Sequence, residues 1–517
     1  MKVTDVQVDL VSITVFLISA VISLIGFLFR RYSKNGKQKP PGPFRFPIIG
    51  NLPNIYFQKN YPDVPNVFSS MAKQWGDIMS LKIGKNDTVV ISSHEPAIAI
   101  LNHDAAINRA VTFVMKDRLK QKNIGINFSN GSDWHTMRSF TMTSLKTNGI
   151  GKFSTQILDE VQRLIGHWNS NIFKGDRENN VILFENMFGG PVFNSVWRLL
   201  SNGQRFDYDD PKLTNLLNSL DRFNESTNLG VDFFVSFPAL RKFLPEKLTK
   251  RNVQQKSLDE IRNLCYVTLK GCKENLSISQ QPKSFFESFA AKIMEFSGNH
   301  HQHQCFNDDQ FVITTMDLFQ NAVDTVGSTL TFLILYTIMN PNAKKKVQEE
   351  VDTFISNCDN TSANASQSSL PYTFAFILET LRFSCSLPVI APRVAVDDIN
   401  LNGFHIEVGS SLLVNLRALN SSQEAWGDPQ DFRPERFIDA RTGQLSLEKT
   451  RLMLSFGSGR RVCPAQKFAE QMILIFFVEL MKTYDFLHES DKPMPSISQA
   501  FGLNYSPKPF YAQIRKR

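Results

Sequence analysis

A single cysteine near the C-terminus lies in a stretch of residues that could do chemistry. Residues 456–465 read FGSGRRVCPA and fit the spacing F-x-x-G-x-R-x-C-x-[GA], which is met by Phe456, Gly459, Arg461, Cys463 and Ala465. Glycines let backbone amides approach a thiolate, and Arg461 can meet an anionic group. Pro464 is typical of the first turn of a helix, whose N-terminus would stabilise negative charge on the sulfur.

A cysteine thiolate held in this way is a good axial ligand for haem iron. The alternative interpretation is a free cysteine, buried before a helix and without chemistry. None of the six cysteines forms a CxxC pair, and their spacing is irregular. This pattern indicates reduced thiols in a cytosolic compartment rather than a disulfide framework.

Three short patterns precede this cysteine in the chain. Trp134 and Arg138 are spaced as W-x-x-x-R, so both lie on one face of a helix. Glu379 and Arg382 fit E-x-x-R, and Arg436 follows them in FRPERF. The E-x-x-R spacing also occurs at Glu160/Arg163 and at Glu448/Arg451. The spacing alone is therefore not informative. The pair Glu379/Arg382 is distinguished only because Arg436 and then Cys463 follow it in the chain.

Taken together and in this order, these residues resemble the cytochrome P-450 superfamily, and within it the microsomal branch of drug- and steroid-metabolising enzymes. The match runs from PPGP at residues 40–43 to GLNYSPKPF at residues 502–510, so it covers nearly the whole chain. The resemblance implies a mainly α fold with small β-sheets, in a single large helical domain. It also implies a haem-thiolate monooxygenase with haem b as its cofactor.

The resemblance assigns roles to individual residues. Those expected to bind the haem are Cys463, Phe456, Trp134, Arg138, Arg393 and Arg461. Cys463 would be the only protein ligand to the iron, and the three arginines would meet the haem propionates, with Trp134 supporting Arg138. Without the other motifs, Trp134 would be interpreted as core packing.

A buried charge network is a further implication of the resemblance. Glu379, Arg382 and Arg436 would lock the core behind the haem. The alternative is a solvated ion pair on a helix surface.

The segment NAVDTVGS, residues 321–328, resembles the oxygen-binding helix of the family. Asp324 and Thr325 would be the acid–alcohol pair that delivers protons during dioxygen activation. A threonine inside a helix can bond back to a carbonyl one turn earlier and open the helix locally. Asn321 and Ala322 replace two small residues of the family pattern, and Val326 replaces a hydroxyl. Asn321 would either contact a polar atom of the substrate or bond to the backbone of its own helix.

The resemblance also implies partners. Electrons would come from NADPH through a separate flavoprotein reductase, since the chain has no G-x-G-x-x-G strand–helix unit, with cytochrome b5 as a second candidate donor. The other partners would be O2, membrane lipid and a hydrophobic substrate, either steroid-like, lipid or xenobiotic. Two rivals stay open: an isomerase or dehydratase that needs no reductase, and a haem-binding sensor. The net charge of +8 comes without basic runs interleaved with aromatics, which excludes nucleic acid as a partner.

The N-terminus carries a predicted membrane anchor. Residues 10–29 are 20 residues without a charge, enough to cross about 30 Å of hydrocarbon as a helix. A secretory signal would have a shorter apolar region and a cleavage site. Five basic residues follow the span at Arg30, Arg31, Lys34, Lys37 and Lys39. This bias predicts a single-pass protein whose catalytic domain, residues 40–517, faces the cytosol, with residues 1–39 as anchor and basic flank. The resemblance to the microsomal branch implies that the membrane is that of the endoplasmic reticulum.

The remaining patterns predict local structure. Residues 40–51 are expected to form an extended spacer and residues 78–92 a β-hairpin. Helices are predicted at residues 154–168, 317–339, 343–356 and 374–384, and surface loops at residues 298–309 and 356–369. Residues 223–245 resemble the membrane-facing substrate lid of the family. The run His300–His303 is interpreted as a polar loop rather than a metal site, and the sequon at Asn360 as unused in the cytosol.

The predicted anchor can be tested by deletion. Removing residues 1–30 should release much of the protein from membranes, because about 20 apolar residues supply the span. Partial retention is expected, since apolar lid residues such as Phe233 and Phe237 can still enter the interface. The measurement is the fraction sedimenting with membranes before and after alkaline extraction. Retention of the truncated protein that resists alkali would reveal a second span and contradict the prediction.

Overall fold

The computed structural model describes residues 38–148, 150–173, 179–226, 245–276, 281–296, 305–357, 361–497, 499–500 and 504–517. Four predictions lie outside these residues: the anchor at residues 10–29, most of the lid, the run His300–His303 and the sequon at Asn360.

Helices dominate the described residues. They are α1 (Leu52–Tyr56), α2 (Val64–Trp75), α3 (His94–Asn102), α4 (Phe113–Arg118), α5 (Gly131–Asn148), α6 (Phe153–Asn171), α7 (Gly189–Ser201), α8 (Pro211–Glu225), α9 (Glu246–Thr249), α10 (Arg251–Asn275), α11 (Phe285–Phe296), α12 (Asp308–Met339), α13 (Pro341–Ser356), α14 (Pro371–Ser384), α15 (Leu416–Asn420), α16 (Gln423–Trp426), α17 (Leu447–Arg451) and α18 (Gln466–Thr483). The four predicted helices correspond to α6, α12, α13 and α14, so a mainly α architecture is confirmed.

The strands form four small sheets. They are β1 (Ile78–Ile83), β2 (Asn86–Ile91), β3 (Asn108–Arg109), β4 (Asn179–Phe184), β5 (Arg393–Val394), β6 (Ile399–Leu401), β7 (Phe404–Ile406), β8 (Ser411–Val414), β9 (Tyr484–Leu487), β10 (Gln499–Ala500), β11 (Ser506–Pro507) and β12 (Phe510–Lys516). The sheet orders are β1-β2-β8-β5-β3, β4-β12-β9, β6-β7 and β10-β11. Strands β1 and β2 pair antiparallel with Ile78 opposite Ile91, which confirms the predicted hairpin.

The long helix α12 is the centre of the packing. It contacts α7, α10, α14 and α18, and most of its side chains are buried. Among the described helices, α12 alone has the length and apolar composition of a membrane span, and 67% of that apolar window is buried inside the protein. We therefore interpret α12 as the core helix of the domain. It carries the predicted acid–alcohol pair through the middle of the molecule.

The predicted charge network is present and buried. Arg382 donates from Nε and Nη2 to the two carboxylate oxygens of Glu379, both at 2.8 Å. Arg436 lies 3.0 Å from the same carboxylate. Arg436 also donates to the carboxylate of Asp428 at 2.9 Å. Other guanidinium donors reach backbone carbonyls, including those of Asn420 and Trp426. The network therefore fastens α14 to the chain around residues 420–436, which leads into the cysteine loop.

The other two E-x-x-R pairs form no such network. The side chain of Glu448 is 83% exposed. Glu160 is buried, but it accepts hydrogen bonds from Tyr208 and Asn194, while Arg163 pairs with Asp159 instead. Of the three pairs, only Glu379 and Arg382 build the predicted structure.

Replacement of the central carboxylate should be strongly destabilising. Glu379→Ala leaves the buried guanidinium of Arg382 without a counter-charge and leaves Arg436 with Asp428 alone, and breaking a buried ion pair in this way typically costs about 3–5 kcal/mol. Because domains are stable by only about 5–15 kcal/mol, we expect a large fall in folded, haem-loaded protein. The measurement is the yield of folded protein and its urea unfolding midpoint. Glu448→Ala, at the exposed pair of the same spacing, is the control and should match the parent; equal behaviour of the two variants would contradict the role of the network.

Candidate active site

The cysteine loop is a tight turn closed by its own backbone. The Cys463 amide donates to the carbonyl of Phe456 at 2.9 Å, and between them residues Gly459–Arg461 form one turn of 3-10 helix. Helix α18 begins at Gln466, so Pro464 precedes the helix instead of occupying its first turn. The prediction for Pro464 was therefore wrong by two residues, although Cys463 still lies close to a helix N-terminus.

Gly459 is required because the end of α3 packs closely against the backbone of the cysteine loop. Its φ of +70° lies in the left-handed region, which residues with a side chain rarely adopt. A Cβ atom at this position would lie 2.3 Å from the carbonyl oxygen of Leu101, at the end of α3. The glycine therefore lets the cysteine loop pack directly on backbone.

Two opposing effects act on the Cys463 thiol. Burial dominates and raises the pKa of Cys463 above its ordinary value, as does the charge of Glu470, whereas a hydrogen bond from the Ala465 amide and the charge of Arg138 lower it. Arg138 also donates to the carbonyl of Val462 at 2.7 Å, so it is fixed beside the loop. A thiolate at Cys463, which is partly buried, would thus have an amide donor and a cation beside it.

Four arginines converge on the loop. Arg138 and Arg461 lie over the ring of Trp134, with the Arg461 guanidinium 3.7 Å from the ring centroid. Arg393 lies on β5, and its neighbour Arg109 lies opposite it on β3. Among the described residues, no carboxylate lies within salt-bridge distance of these four side chains, although three of them are buried.

The crowding of positive charge shows in the pKa values. Burial, together with the charges of Arg393 and Arg138, lowers the pKa of Arg461 to about 9. Burial lowers the pKa of Arg393 to about 10. The pKa of Arg109 is well below its ordinary value, because of burial and then of the three neighbouring guanidinium groups. Each pKa is lowered, as expected for a buried cation that has other cations beside it and, in the part of the chain that the structure describes, no anionic partner.

Unpaired donors at the cluster also point to a ligand. The buried atoms without a hydrogen-bond partner include Nε1 of Trp134, Nη1 of Arg461, and Nε of Arg393 and Arg109. Buried polar groups are nearly always hydrogen-bonded in native proteins, and leaving one unpaired costs about 1–3 kcal/mol. A ligand with two carboxylates and a metal that prefers thiolate would satisfy both the cluster and Cys463. The site therefore fits haem b.

Arg109 was missed by the sequence analysis. It stands in a two-residue strand within INRAV, where no motif distinguishes it from an ordinary surface arginine. Its guanidinium reaches the carbonyl of Ala391 at 2.5 Å, 282 residues further along the chain. Only the pairing of β3 with β5, which carries Arg393, brings it to the site.

Helix α12 carries a ladder of side chains that bond back to its own carbonyls. Asn321 Nδ2 donates to the carbonyl of Asp317 at 2.8 Å, Thr325 Oγ1 to that of Asn321 at 2.7 Å, and Thr329 Oγ1 to that of Thr325 at 2.7 Å. The back-bond of Thr325 is as predicted. The helix is nevertheless continuous from Asp308 to Met339, so the predicted local opening is absent. Of the two interpretations of Asn321, the structure agrees with bonding to its own helix.

Asp324 leaves this ladder and faces α8. Burial raises the pKa of Asp324 to about 7, against a hydrogen bond from Asn224 that lowers it. The neighbouring carboxyl of Asp221 also raises it, whereas Arg118 lowers it. The Asp221 carboxyl accepts from Asn186 at 2.8 Å, and its own pKa is raised to about 6. Burial and the neighbouring carboxyl of Asp221 thus favour the protonated form of Asp324.

The sequence analysis also missed a buried ion pair between α4 and α12. Arg118 donates to Asp317 at 2.7 Å, and both side chains are almost fully buried. The other oxygen of Asp317 accepts the amides of Ile126 and Asn127 at 2.8 and 3.0 Å. The pair therefore clamps the chain after α4 onto α12, one turn before Asn321.

No group of three or more His, Cys, Asp or Glu side chains arranged for a metal ion occurs in the described part of the chain. The five cysteines described there are all free, which agrees with the prediction of reduced thiols.

Comparison with known proteins identifies the class. The fold and the cysteine loop with its arginine cluster define a haem-thiolate protein, and the family model of cytochrome P450 matches residues 40–514. The chain therefore belongs to the cytochrome P450 family. It is a monooxygenase with haem b as its cofactor.

Curated relatives cover almost the full length of the chain. The chain is 29% identical to mouse cytochrome P450 2J5 over 95% of its length and 94% of that protein. It is 27% identical to the farnesoate epoxidase of Bombyx mori over 91% of its length and 92% of that protein. It is 26% identical to human cytochrome P450 2D6, with 95% and 96% covered. The predicted resemblance to the drug- and steroid-metabolising branch is confirmed.

The two glycines of the cysteine loop allow a matched test. Gly457 and Gly459 both have positive φ, +76° and +70°, but a Cβ at Gly457 would meet nothing within 4 Å. Gly457→Ala should therefore cost only the conformational strain, about 1–2 kcal/mol. Gly459→Ala adds a clash with the Leu101 carbonyl and should abolish most haem incorporation. The ratio of haem absorbance to protein absorbance measures this, and equal haem content in the two variants would contradict the role given to the close approach.

Proposed function

We propose that this chain is a membrane-anchored monooxygenase that inserts one oxygen atom from O2 into a hydrophobic substrate, with electrons from NADPH delivered by a separate flavoprotein reductase. The observation that carries the proposal is the meeting of Cys463 with four arginines that lack carboxylate partners in the described residues. When bound, haem b supplies the oxygen-activating chemistry. The rest of the reaction depends on how the protein binds the haem and moves protons.

Cys463 is the proposed iron ligand, and Phe456 fixes its position. The Phe456 carbonyl closes the loop on the Cys463 amide, so the sulfur is held by backbone geometry. The amide of Ala465 and the charge of Arg138 both favour the thiolate, which is the form that binds metal. Donors to the sulfur also tune the electron density that a thiolate gives to iron.

The propionates are the proposed ligands of the arginine cluster. Arg138, Arg393 and Arg461 were expected there, and Arg109 is added because its Nε is buried and unpaired. Trp134 is proposed to donate from its unpaired Nε1, while its ring holds Arg461 in place. Charge-assisted hydrogen bonds of this kind are among the strongest that proteins make.

Asp324 and Thr325 are the proposed proton donors. The hydroxyl of Thr325 donates to the Asn321 carbonyl, so its oxygen is left to accept from water. Thr325 could therefore relay a proton from water when its hydroxyl releases the carbonyl of Asn321. Asp324, whose pKa is raised to about 7, is matched to a proton donor that is reloaded near neutral pH.

The location and substrate class follow from different features. The apolar residues 10–29 and the basic residues after them support a single-pass anchor in the endoplasmic reticulum, with the catalytic domain in the cytosol. The relative named farnesoate epoxidase supports lipid-like substrates beside steroid-like and xenobiotic ones. A reductase-independent isomerase or dehydratase is the alternative, and it would turn over substrate without NADPH. A haem-binding sensor would do neither.

The proposed iron ligand can be tested spectroscopically. A thiolate ligand gives the reduced, carbon monoxide-bound haem a strongly red-shifted absorption band, which a serine oxygen cannot reproduce because it is a poorer electron donor. Cys463→Ser should therefore lose this band. Cys385→Ser, at a buried cysteine with αL backbone outside the loop, is the control and should keep it. Persistence of the band in Cys463→Ser would refute the assignment, and NADPH-dependent oxygen insertion by the parent protein with purified reductase tests the activity.

The role of Asp324 predicts a pH dependence. A carboxyl with a pKa of about 7 donates a proton below that pH and loses this ability as the pH rises through 7. The amount of product formed per NADPH should therefore fall severalfold between about pH 6 and pH 8. In Asp324→Asn this ratio should be low and independent of pH. The ratio is used because it separates proton delivery from electron supply, and an unchanged pH profile in Asp324→Asn would exclude Asp324 as the donor.

A further inference from the structure

A surface ion cluster holds the turn that follows α4. Asp309, in the first turn of α12, accepts from Lys120 at 2.6 Å and also from Lys122 and Tyr266. Lys120 in turn donates to the Tyr266 hydroxyl at 2.9 Å. We call these four residues the Asp309 clasp. It joins the turn to α12 and, through Tyr266, to α10.

The turn held by the clasp is strained. Lys120 and Gln121 have φ of +53° and +60°, so two consecutive residues with side chains adopt the left-handed region. Such backbone persists only where the surroundings over-determine it, and it often occurs at switch segments. The clasp holds one of the strained residues, Lys120, and the residue directly after them, Lys122, since both side chains reach Asp309.

The same stretch of chain reaches the interior of the protein. Two residues before the clasp, Arg118 forms the buried pair with Asp317; after it, Ile126 and Asn127 donate their amides to Asp317. Arg262 of α10 holds the carbonyls of residues 117 and 118. Residues 117–127, the clamped segment, thus have a buried attachment to Asp317 and a surface attachment to Asp309.

The two attachments respond differently to salt. The side chains of Arg118 and Asp317 are 4% and 1% exposed, so ions in solution do not reach them. The side chains of Lys120 and Lys122 are 37% and 56% exposed, and the attraction between exposed charges is screened within about 10 Å at 0.1 M salt. Hydrogen bonds from Lys120, Lys122 and Tyr266 nevertheless overcome burial and hold the pKa of Asp309 well below its ordinary value. The Asp309 carboxylate therefore stays ionised near neutral pH, and the exposure of its lysine partners makes the clasp sensitive to ionic strength.

We propose that Asp309 is a positioning residue for substrate binding. It holds the clamped segment against α12, where the segment binds Asp317 one turn before Asn321 and two turns before Thr325. The ion pairs of the clasp weaken as ionic strength rises. The inference rests on the proposed function, which places the substrate beside Thr325. Release of the clasp relaxes the strained turn and frees the outer half of the segment, so that bulky ligands enter and leave faster.

Hydrogen exchange of the full-length, haem-loaded protein in detergent micelles tests the closure without using activity. In the parent protein, exchange of a peptide covering residues 123–130 should become about three- to tenfold faster when ionic strength rises from about 0.05 to 0.5 M, as exposed ion pairs are weakened. In Asp309→Asn, exchange should be fast at both ionic strengths. The pair of substitutions Lys120→Gln and Lys122→Gln, which removes the opposite side of the clasp, should behave in the same way.

The chain offers a matched control in the adjacent residue. Asp308 pairs with Lys273 at 2.6 Å between the same two helices, α12 and α10, but does not touch the clamped segment. Asp308→Asn removes an equal charge from the same helix turn and should exchange like the parent protein. If Asp309→Asn and Asp308→Asn exchange at the same rate, the inference is overturned.

Ligand binding connects the closure to the site. The probes are 4-phenylimidazole, which is bulky, and imidazole, which is small; both are followed by the shift of the haem absorption after rapid mixing. In Asp309→Asn, association and dissociation of 4-phenylimidazole should be about three- to tenfold faster, with imidazole unchanged. KM for an oxidised substrate should rise with kcat unchanged. Equal acceleration of both probes would overturn the inference. Absence of the thiolate band in the parent protein would instead overturn the proposed function, and the hydrogen-exchange comparison would then decide the inference by itself.

Discussion

The repulsion among four buried or half-buried arginines is the constraint on which the proposed haem site depends. Arg109, Arg138, Arg393 and Arg461 come from β3, α5, β5 and the cysteine loop. Bringing such charges together costs free energy unless an anion lies between them. A ligand that binds the folded state alone stabilises it in proportion to its affinity. The protein therefore couples completion of its fold to the binding of a dianionic cofactor.

A second charge network, close to the first in sequence, is already complete. Glu379 neutralises Arg382 and, together with Asp428, Arg436, and backbone carbonyls accept from the other guanidinium donors. The two networks differ in one respect: one includes its own carboxylate, whereas the other lacks one. The complete network can fix the chain that leads to Cys463 before any cofactor binds. The incomplete one can then select a ligand by charge.

The sequence predicted the parts of the site that are encoded locally. The spacing around Cys463 specifies a turn with two left-handed glycines, and the order of Glu379, Arg382 and Arg436 specifies the complete network. Arg118 and Asp317 could not be paired from the sequence, because 199 residues separate them and neither stands in a recognisable pattern. The start of α12 was missed for a different reason: its first turn, with Asp308 and Asp309, is polar and was interpreted as a loop. In the structure, Asn307 caps this turn by accepting from the amide of Gln310.

The departure of Asn321 from the family pattern is explained by the ladder on α12. A residue at this position that lacks a donor would leave the Asp317 carbonyl with its helical bond alone, whereas Asn321 adds a second donor to it. Thr325 and Thr329 do the same for the next two turns. Asn321 thus extends a pattern of threonine back-bonds by one turn, toward the Asp317 side chain that clamps residues 117–127. The amide couples the oxygen-binding part of the helix to the segment beside it, and this coupling needs no contact between Asn321 and the substrate.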